Sequence, residues 1–239
     1  VNLGFRINDE DSKPIIYNDE IRGLIFDFIQ RKFNIQLKQL REKNQSAFVW
    51  LDEPGLIWVF SGLSGYNDAQ AKRDYQDFLS GLEWPKGLHL CADVNPPYLL
   101  ELGLDILSFD AYQMGFLPKG YTEAMATFIR DGGVISWGIV PTDSTSLGYE
   151  SPESLARRLM GYWEVLSENG GLLLKLIAEQ ALIAPARCCL KNIGQVGAAD
   201  GLVCQPIGNG GGHTIEEVLV EQAFACLGEL SQLLKDEFE

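Results

Sequence analysis

Four side chains of this sequence could together hold a zinc ion: His89, Cys91, Asp110 and Cys188. His89 and Cys91 lie two positions apart in a short apolar run, so on a β-strand both would project from the same face. Asp110 closes the next apolar run, and Cys188 follows the last one. If the ends of these strands meet, the sequence predicts nitrogen, sulfur and oxygen donors of the kinds that zinc accepts.

Two thiolates, one imidazole and one carboxylate would direct a bound zinc ion towards thiol chemistry. A thiol bound to such a metal is held as its thiolate near neutral pH, and alkyl transfer to sulfur is the natural reaction. Metal-assisted hydrolysis of an ester or amide is the competing use, and it usually employs nitrogen and oxygen ligands. Spacing alone leaves simpler roles open, because buried cysteines often only fill a core and Asp110 could cap a helix.

Short apolar runs alternate with longer helical patterns, which is typical of βα units and parallel sheets. The runs that we predict as strands are 1–7, 47–51, 87–91, 105–109, 133–140 and 182–184. Polar residues lie at or just beyond the carboxyl ends of several runs, where a (β/α)8 barrel carries its chemistry; they are Asp52, Cys91, Asp110, Thr142 and Cys188. We therefore predict one α/β domain over residues 1–239, a TIM-type barrel whose first one or two βα units lie upstream of Val1. An open doubly wound sheet is the alternative.

Three helices have clear signals in the sequence. Apolar residues at three- to five-residue spacing predict a long first helix; they are Ile21, Leu24, Ile25, Phe28, Phe33, Leu37 and Leu40. Ser151, Pro152 and Glu153 form a helix start, and Thr214 with Glu217 forms a capping box for the last helix. We expect its inward face to consist of Val218, Leu219, Cys226, Leu227, Leu230 and Leu234.

Composition excludes several classes of partner. The formal net charge is -14, which argues against nucleic acid and anionic membranes as partners. No segment has the roughly 20 uninterrupted apolar residues of a membrane span, and we find no secretory signal. Five cysteines without regular spacing indicate a reducing compartment, so we expect a cytoplasmic protein.

The glycine-rich stretch 208–212 lacks the order of a P-loop or a dinucleotide turn. We interpret it as a loop with His213 in solvent, although His213 could substitute as a ligand.

Four motifs, in order, resemble the C-terminal catalytic barrel of cobalamin-independent methionine synthase. They are Asp52-Glu53-Pro54, His89-x-Cys91, Ser108-Phe109-Asp110 and the segment from Pro185 to Lys191 that contains Cys188. The sequence is especially similar to short single-barrel relatives of that enzyme within the uroporphyrinogen decarboxylase-like superfamily. The resemblance implies that His89, Cys91, Asp110 and Cys188 bind zinc and that Asp52 holds the amino group of homocysteine.

The resemblance further implies a substrate pocket and a proton donor. We expect Glu53, Ser108, Tyr112 and Trp137 to join Asp52 in binding substrate. The family's catalytic histidine has no counterpart here, so Thr142, Asp143 or Ser144 would take its place, or no acid is needed. The sequence departs from the pattern in three further ways: Asp110 replaces Glu, Arg187 lengthens the last motif by one residue, and Cys189 could replace Cys188 as the ligand.

The function that follows is a zinc-dependent methyltransferase that converts homocysteine to methionine. A polyglutamyl folate is the family's methyl donor. Because the chain is so acidic, a methylated corrinoid, free or on a protein, is an alternative donor. Two other functions remain open: a corrinoid-dependent methyltransferase acting on another small thiol, and a non-catalytic barrel that binds a metal or a partner.

Overall fold

The centre of the protein is a parallel β-sheet flanked by helices. The structure, a computed structural model, describes residues 1–61, 65–91, 95–187 and 215–238. Within them the sheet has five strands in the order β1-β2-β3-β4-β5: β1 Val49–Asp52, β2 Lys86–Leu90, β3 Ile106–Asp110, β4 Val134–Val140 and β5 Ala181–Pro185. Parallel strands that follow one another in space as in sequence are compatible with part of a TIM-type barrel.

Helices connect the strands and cover the sheet. They are α1 Asn2–Arg6, α2 Asp19–Arg41, α3 Leu56–Phe60, α4 Asp68–Ser80, α5 Pro96–Leu100, α6 Lys119–Arg130, α7 Ser144–Tyr149, α8 Pro152–Gly170, α9 Leu174–Glu179 and α10 Ile215–Phe238. In the part of the chain that the structure describes, no helix is both long and apolar enough to span a bilayer.

The predicted first strand, 1–7, is wrong, because this segment forms helix α1. Tertiary contacts explain the difference. Gly4 lies so close to Ile16 that a Cβ on the glycine would come within 2.7 Å of Ile16 Cδ1. Phe5 packs edge-on against Trp58, with ring centroids 5.1 Å apart. In a run this short, apolar content alone does not distinguish a helix from a strand.

The other five predicted strands are confirmed, as are the three helices. Asn18 caps α2 by accepting hydrogen bonds from the backbone N–H groups of Glu20 and Ile21. Ser151 and Ser154 form a capping box at the start of α8. The helix ends at Gly170 and is capped by Gly171, which has a left-handed conformation with φ of 64°.

Not every residue expected on an inward helix face is buried. On α10, Leu219 and Leu230 are buried, and Cys226, Leu227 and Leu234 pack against the core. Val218, at 38% exposure, is not buried as predicted. On α2, Leu37 is buried, whereas Leu24, Phe28 and Leu40 are exposed. Thr214, the predicted capping residue of α10, lies outside the described residues.

The two faces of the sheet differ in polarity, because side chains alternate along each strand. One face is apolar and packs towards helices such as α8, whose Tyr162 stacks on Trp137 of β4 at 6.0 Å between ring centroids. The opposite face, which we call the polar face, carries Asp52, His89, Cys91, Ser108, Asp110 and Ser136.

Candidate metal centre

A row of polar residues crosses the polar face from Asp52, the last residue of β1, to Ser136 within β4. Asp52 is the register partner of His89, His89 that of Ser108, and Ser108 that of Ser136. His89, Ser108 and Ser136 are buried, at 5%, 1% and 2% exposure, whereas Asp52 is exposed. Buried polar groups need hydrogen-bond partners, and within this row His89 and Ser108 supply one to each other.

The imidazole of His89 is held on both of its nitrogens. Nδ1 lies 3.0 Å from Ser108 Oγ, and Nε2 lies 2.6 Å from Cys91 Sγ. The ring also stacks on Trp50, with centroids 6.3 Å apart and planes at 18°. When Nδ1 donates its proton to Ser108, the Nε2 lone pair faces Cys91, which is the orientation that a metal-binding histidine requires.

Electrostatics favour the neutral imidazole that a metal needs. Burial lowers the pKa of His89 below its ordinary value, while the carboxylates of Asp52 and Asp110 act in the opposite direction. The net effect keeps the ring uncharged near neutral pH, with two negative groups close by. Asp52 would attract a cation to the site, whereas the charge of Asp110 is offset by its ion pair with Arg187.

The separation of the two donors indicates how well they fit zinc. Ideal tetrahedral bonds of about 2.0 Å to nitrogen and about 2.3 Å to sulfur place these two atoms about 3.5 Å apart. His89 Nε2 and Cys91 Sγ are 2.6 Å apart, so they must separate by about 1 Å to share a metal. The two donors suit a zinc ion in chemical type, and only a small side-chain movement is needed for them to share one.

Asp110, the expected oxygen ligand, already has a cationic partner. Asp110 is the last residue of β3. Leu90 pairs with Phe109 in the register of β2 and β3, so the next residues along the two strands, Cys91 and Asp110, are neighbours. Oδ2 accepts a hydrogen bond from Arg187 Nε at 2.9 Å, and Oδ1 accepts one from the backbone N–H of Gln113 at 3.1 Å. Arg187 also donates to the Gln113 side chain. A metal that binds Asp110 must compete with this ion pair.

Gly138 of β4 makes the Arg187 contact possible. It lies between Asp110 of β3 and Ala184 of β5 in the sheet register. A Cβ at Gly138 would lie 2.5 Å from Phe109 O and 3.0 Å from Ala186 Cα. The absent side chain lets the chain after β5 pass close to β4 and carry Arg187 to Asp110.

The structure also places the predicted substrate residues. Asp52 is exposed beside His89 in the register, on the side where a substrate could approach. Glu53 is engaged within the chain, because its carboxylate accepts hydrogen bonds from the backbone N–H of Asn2 and from the Tyr75 hydroxyl.

The remaining candidates are Tyr112, Trp137 and Thr142. The Tyr112 hydroxyl donates to Glu150 Oε1 at 3.0 Å, and the ring lies under the Arg158 guanidinium at 4.3 Å. Trp137 is fully buried on the apolar face, because its position in β4 pairs with Phe109 rather than with Ser108. The sheet therefore separates Trp137 from His89. Thr142 is buried two residues beyond β4.

Part of the predicted ligand set cannot be compared with the geometry. Cys188, its possible substitute Cys189, and His213 lie outside the described residues. Among the residues that the structure does describe, no three His, Cys, Asp or Glu side chains form a group that could hold a metal. The described contribution to the site is therefore the His89–Cys91 pair with Asp110 nearby.

Two residues of the site were not predicted from the sequence. Trp50 lies two positions before Asp52 on β1, so strand alternation could have placed it on the polar face. In the sequence, Arg187 stands out only as the residue that lengthens the last motif. Its pairing with Asp110, 77 positions away, has no local signal in the sequence.

Comparison with known proteins adds no relative. Neither the protein-family models, nor the curated proteins, nor the solved structures with which the chain was compared gave a match.

Proposed function

We propose that this chain is the metal-binding part of a zinc-dependent methyltransferase whose acceptor is a thiol, with homocysteine as the substrate and methionine as the product. The observation that carries the proposal is the convergence of His89 Nε2 and Cys91 Sγ, 2.6 Å apart at the carboxyl edge of a parallel sheet. That edge is where barrels of this kind place their catalytic groups.

The chain's own residues would have separate roles in the reaction. His89, Cys91 and Asp110, together with Cys188, would hold the metal, and a zinc ion there would supply a stabilised thiolate near neutral pH. Ser108 would keep the imidazole in the ligating orientation. Asp52, exposed beside His89, would neutralise the amino group of the substrate.

The methyl donor would be a polyglutamyl folate or a methylated corrinoid. A folate tail carries several negative charges, and a chain with a net charge of -14 has few basic residues to meet it. A corrinoid, free or on a partner protein, would not need such a surface. Parallel assays with both donors distinguish these possibilities.

Metal analysis of the purified protein is the first test. We expect close to one zinc per chain, and cobalt substitution should produce thiolate-to-cobalt absorption. Cys91→Ala should abolish both signals. Cys226→Ala is the matched control, because Cys226 is also a half-buried cysteine but lies on α10, outside the polar face. Equal metal content in both variants would refute the proposed site.

Turnover is the second test. The metal-loaded protein should form methionine from homocysteine with methylcobalamin or methyltetrahydrofolate, and Asp52→Asn should raise KM for homocysteine more than it lowers kcat. A protein that binds zinc stoichiometrically but forms no methionine from either donor would contradict the methyltransferase and leave only a binding role.

A non-catalytic barrel is the second candidate, and the Arg187–Asp110 ion pair favours it. Because Arg187 Nε lies 2.9 Å from Asp110 Oδ2, the carboxylate is neutralised without a metal. If this barrel only binds a partner, purified protein should lack zinc, and Asp110→Asn should alter stability without altering metal content.

A further inference from the structure

Helix α2 has an apolar stripe on the side that faces away from the protein. Leu24, Phe28 and Ile35 are 63%, 66% and 60% exposed. Their spacing of four and seven positions places them along one line of the helix. Large apolar side chains that line up in this way on a surface mark an interaction site more often than isolated ones do.

The stripe is exposed although α2 is packed against the rest of the protein. The opposite side of α2 packs firmly on α4 and the segment that follows it. Phe26 contacts Tyr75 with ring centroids 5.7 Å apart, and the Gln30 side chain donates to the Phe78 carbonyl at 2.7 Å. The stripe is therefore presented to solvent by a helix whose position is fixed.

Charge is distributed unevenly along the same exposed side. The first half of α2 carries Glu20 and Asp27, and the second half carries Arg31 and Lys38. This basic half is unusual in a chain with a net charge of -14. Asp27 and Arg31 already form an exposed ion pair within the helix at 2.9 Å.

These features make α2 complementary to itself. When two copies of the helix run antiparallel, the acidic half of each faces the basic half of the other. An axis midway between Leu24 and Ile35 would also bring Leu24 of one copy against Ile35 of its partner, with Phe28 near the centre. A two-fold interface requires this reciprocal matching.

We propose that α2 is a homodimer interface and that a second copy of this chain, antiparallel to the first, covers the stripe. At about 1.5 Å per residue the helix is roughly 35 Å long, so a single helix pair gives an interface at the small end of the stable range. The dimer should therefore be reversible and should dissociate on dilution. This proposal is independent of the proposed function.

The first test is the oligomeric state of the whole chain by sedimentation velocity and light scattering over a series of concentrations. Wild-type protein should pass from monomer to dimer as concentration rises, and Phe28→Asp should raise Kd by at least about tenfold. Leu173→Asp, which changes a leucine that is 77% exposed outside α2, should dimerise as wild type does. Circular dichroism verifies that each variant is folded.

The second test exchanges charges. The pair Glu20→Lys with Asp27→Lys makes both halves of the helix basic, and Arg31→Glu with Lys38→Glu makes both acidic. Each double variant alone should be monomeric, and an equimolar mixture should form a heterodimer. A wild-type protein that stays monomeric, a Phe28→Asp variant that dimerises normally, or a mixture that does not associate would each overturn the proposal.

Discussion

Replacing Gly138 with alanine tests how the sheet brings Arg187 to Asp110. The new Cβ would lie 2.5 Å from Phe109 O, 3.0 Å from Ala186 Cα and 3.1 Å from Pro185 O. All three are backbone atoms on neighbouring segments, so no side chain can rotate away. The neighbouring segments must move apart to reach an ordinary contact distance.

The cost follows from two contributions. Overpacking in a close-packed interior costs about 2 kcal/mol. The Gly138 carbonyl also accepts hydrogen bonds from the backbone N–H groups of Ala111 and Tyr112, each at 3.0 Å, and weakening them adds about 1 kcal/mol. We expect Gly138→Ala to lower the free energy of unfolding by about 3 kcal/mol, which corresponds to a decrease in Tm of about 6–12 °C.

Gly161→Ala is the matched control. Gly161 lies within α8, and nothing is within 4 Å of a Cβ built there. Alanine is favoured over glycine in a helix, so this variant should gain about 1 kcal/mol. Thermal and urea unfolding followed by circular dichroism measure both changes. If Gly138→Ala were as stable as Gly161→Ala, the close approach of the backbone at β4 would be refuted.

Three further predictions concern the metal site and alkaline stability. Arg187→Gln should raise zinc affinity about tenfold in a competitive indicator titration, because the guanidinium no longer competes for Asp110; a lower affinity would mean that the arginine supports the site. Ser108→Ala should weaken zinc binding about 10–100-fold, since the imidazole loses its orienting partner, and unchanged affinity would exclude that role. Burial raises the pKa of Tyr98 to about 12, so its contribution to stability is complete below about pH 10 and is lost as pH rises towards about 12. Tyr98→Phe should flatten this decline in unfolding titrations, whereas the exposed control Tyr149→Phe should follow wild type; identical curves for all three proteins would contradict the assignment.

Local patterns in the sequence predicted much of the fold. The strands that carry His89, Asp110 and Gly138 were found because short apolar runs between helical stretches indicate a parallel sheet. Helix α8 was found from Ser151 and Pro152, whose side chains act on the backbone directly beside them. Signals of this kind need no distant partner, so they are visible without a structure.

The site was only partly predictable. His89 and Cys91 are two positions apart on a strand, so their side chains are expected on the same face. The same alternation along β4 places Trp137 on the opposite face from Ser136. The α1 segment was wrongly predicted because its conformation depends on contacts with Ile16 and Trp58. Such contacts arise only when the chain has folded.

The sequence by itself determined the alternation of strands and helices, the polar residues at the strand ends, and the acidic charge. Only the tertiary structure decided the register that places Asp52, His89 and Ser108 side by side, that Arg187 reaches Asp110 across Gly138, and that the stripe on α2 remains exposed. The physical reason is range: capping and periodicity act between residues a few positions apart, whereas ion pairs and burial depend on segments that the fold brings together.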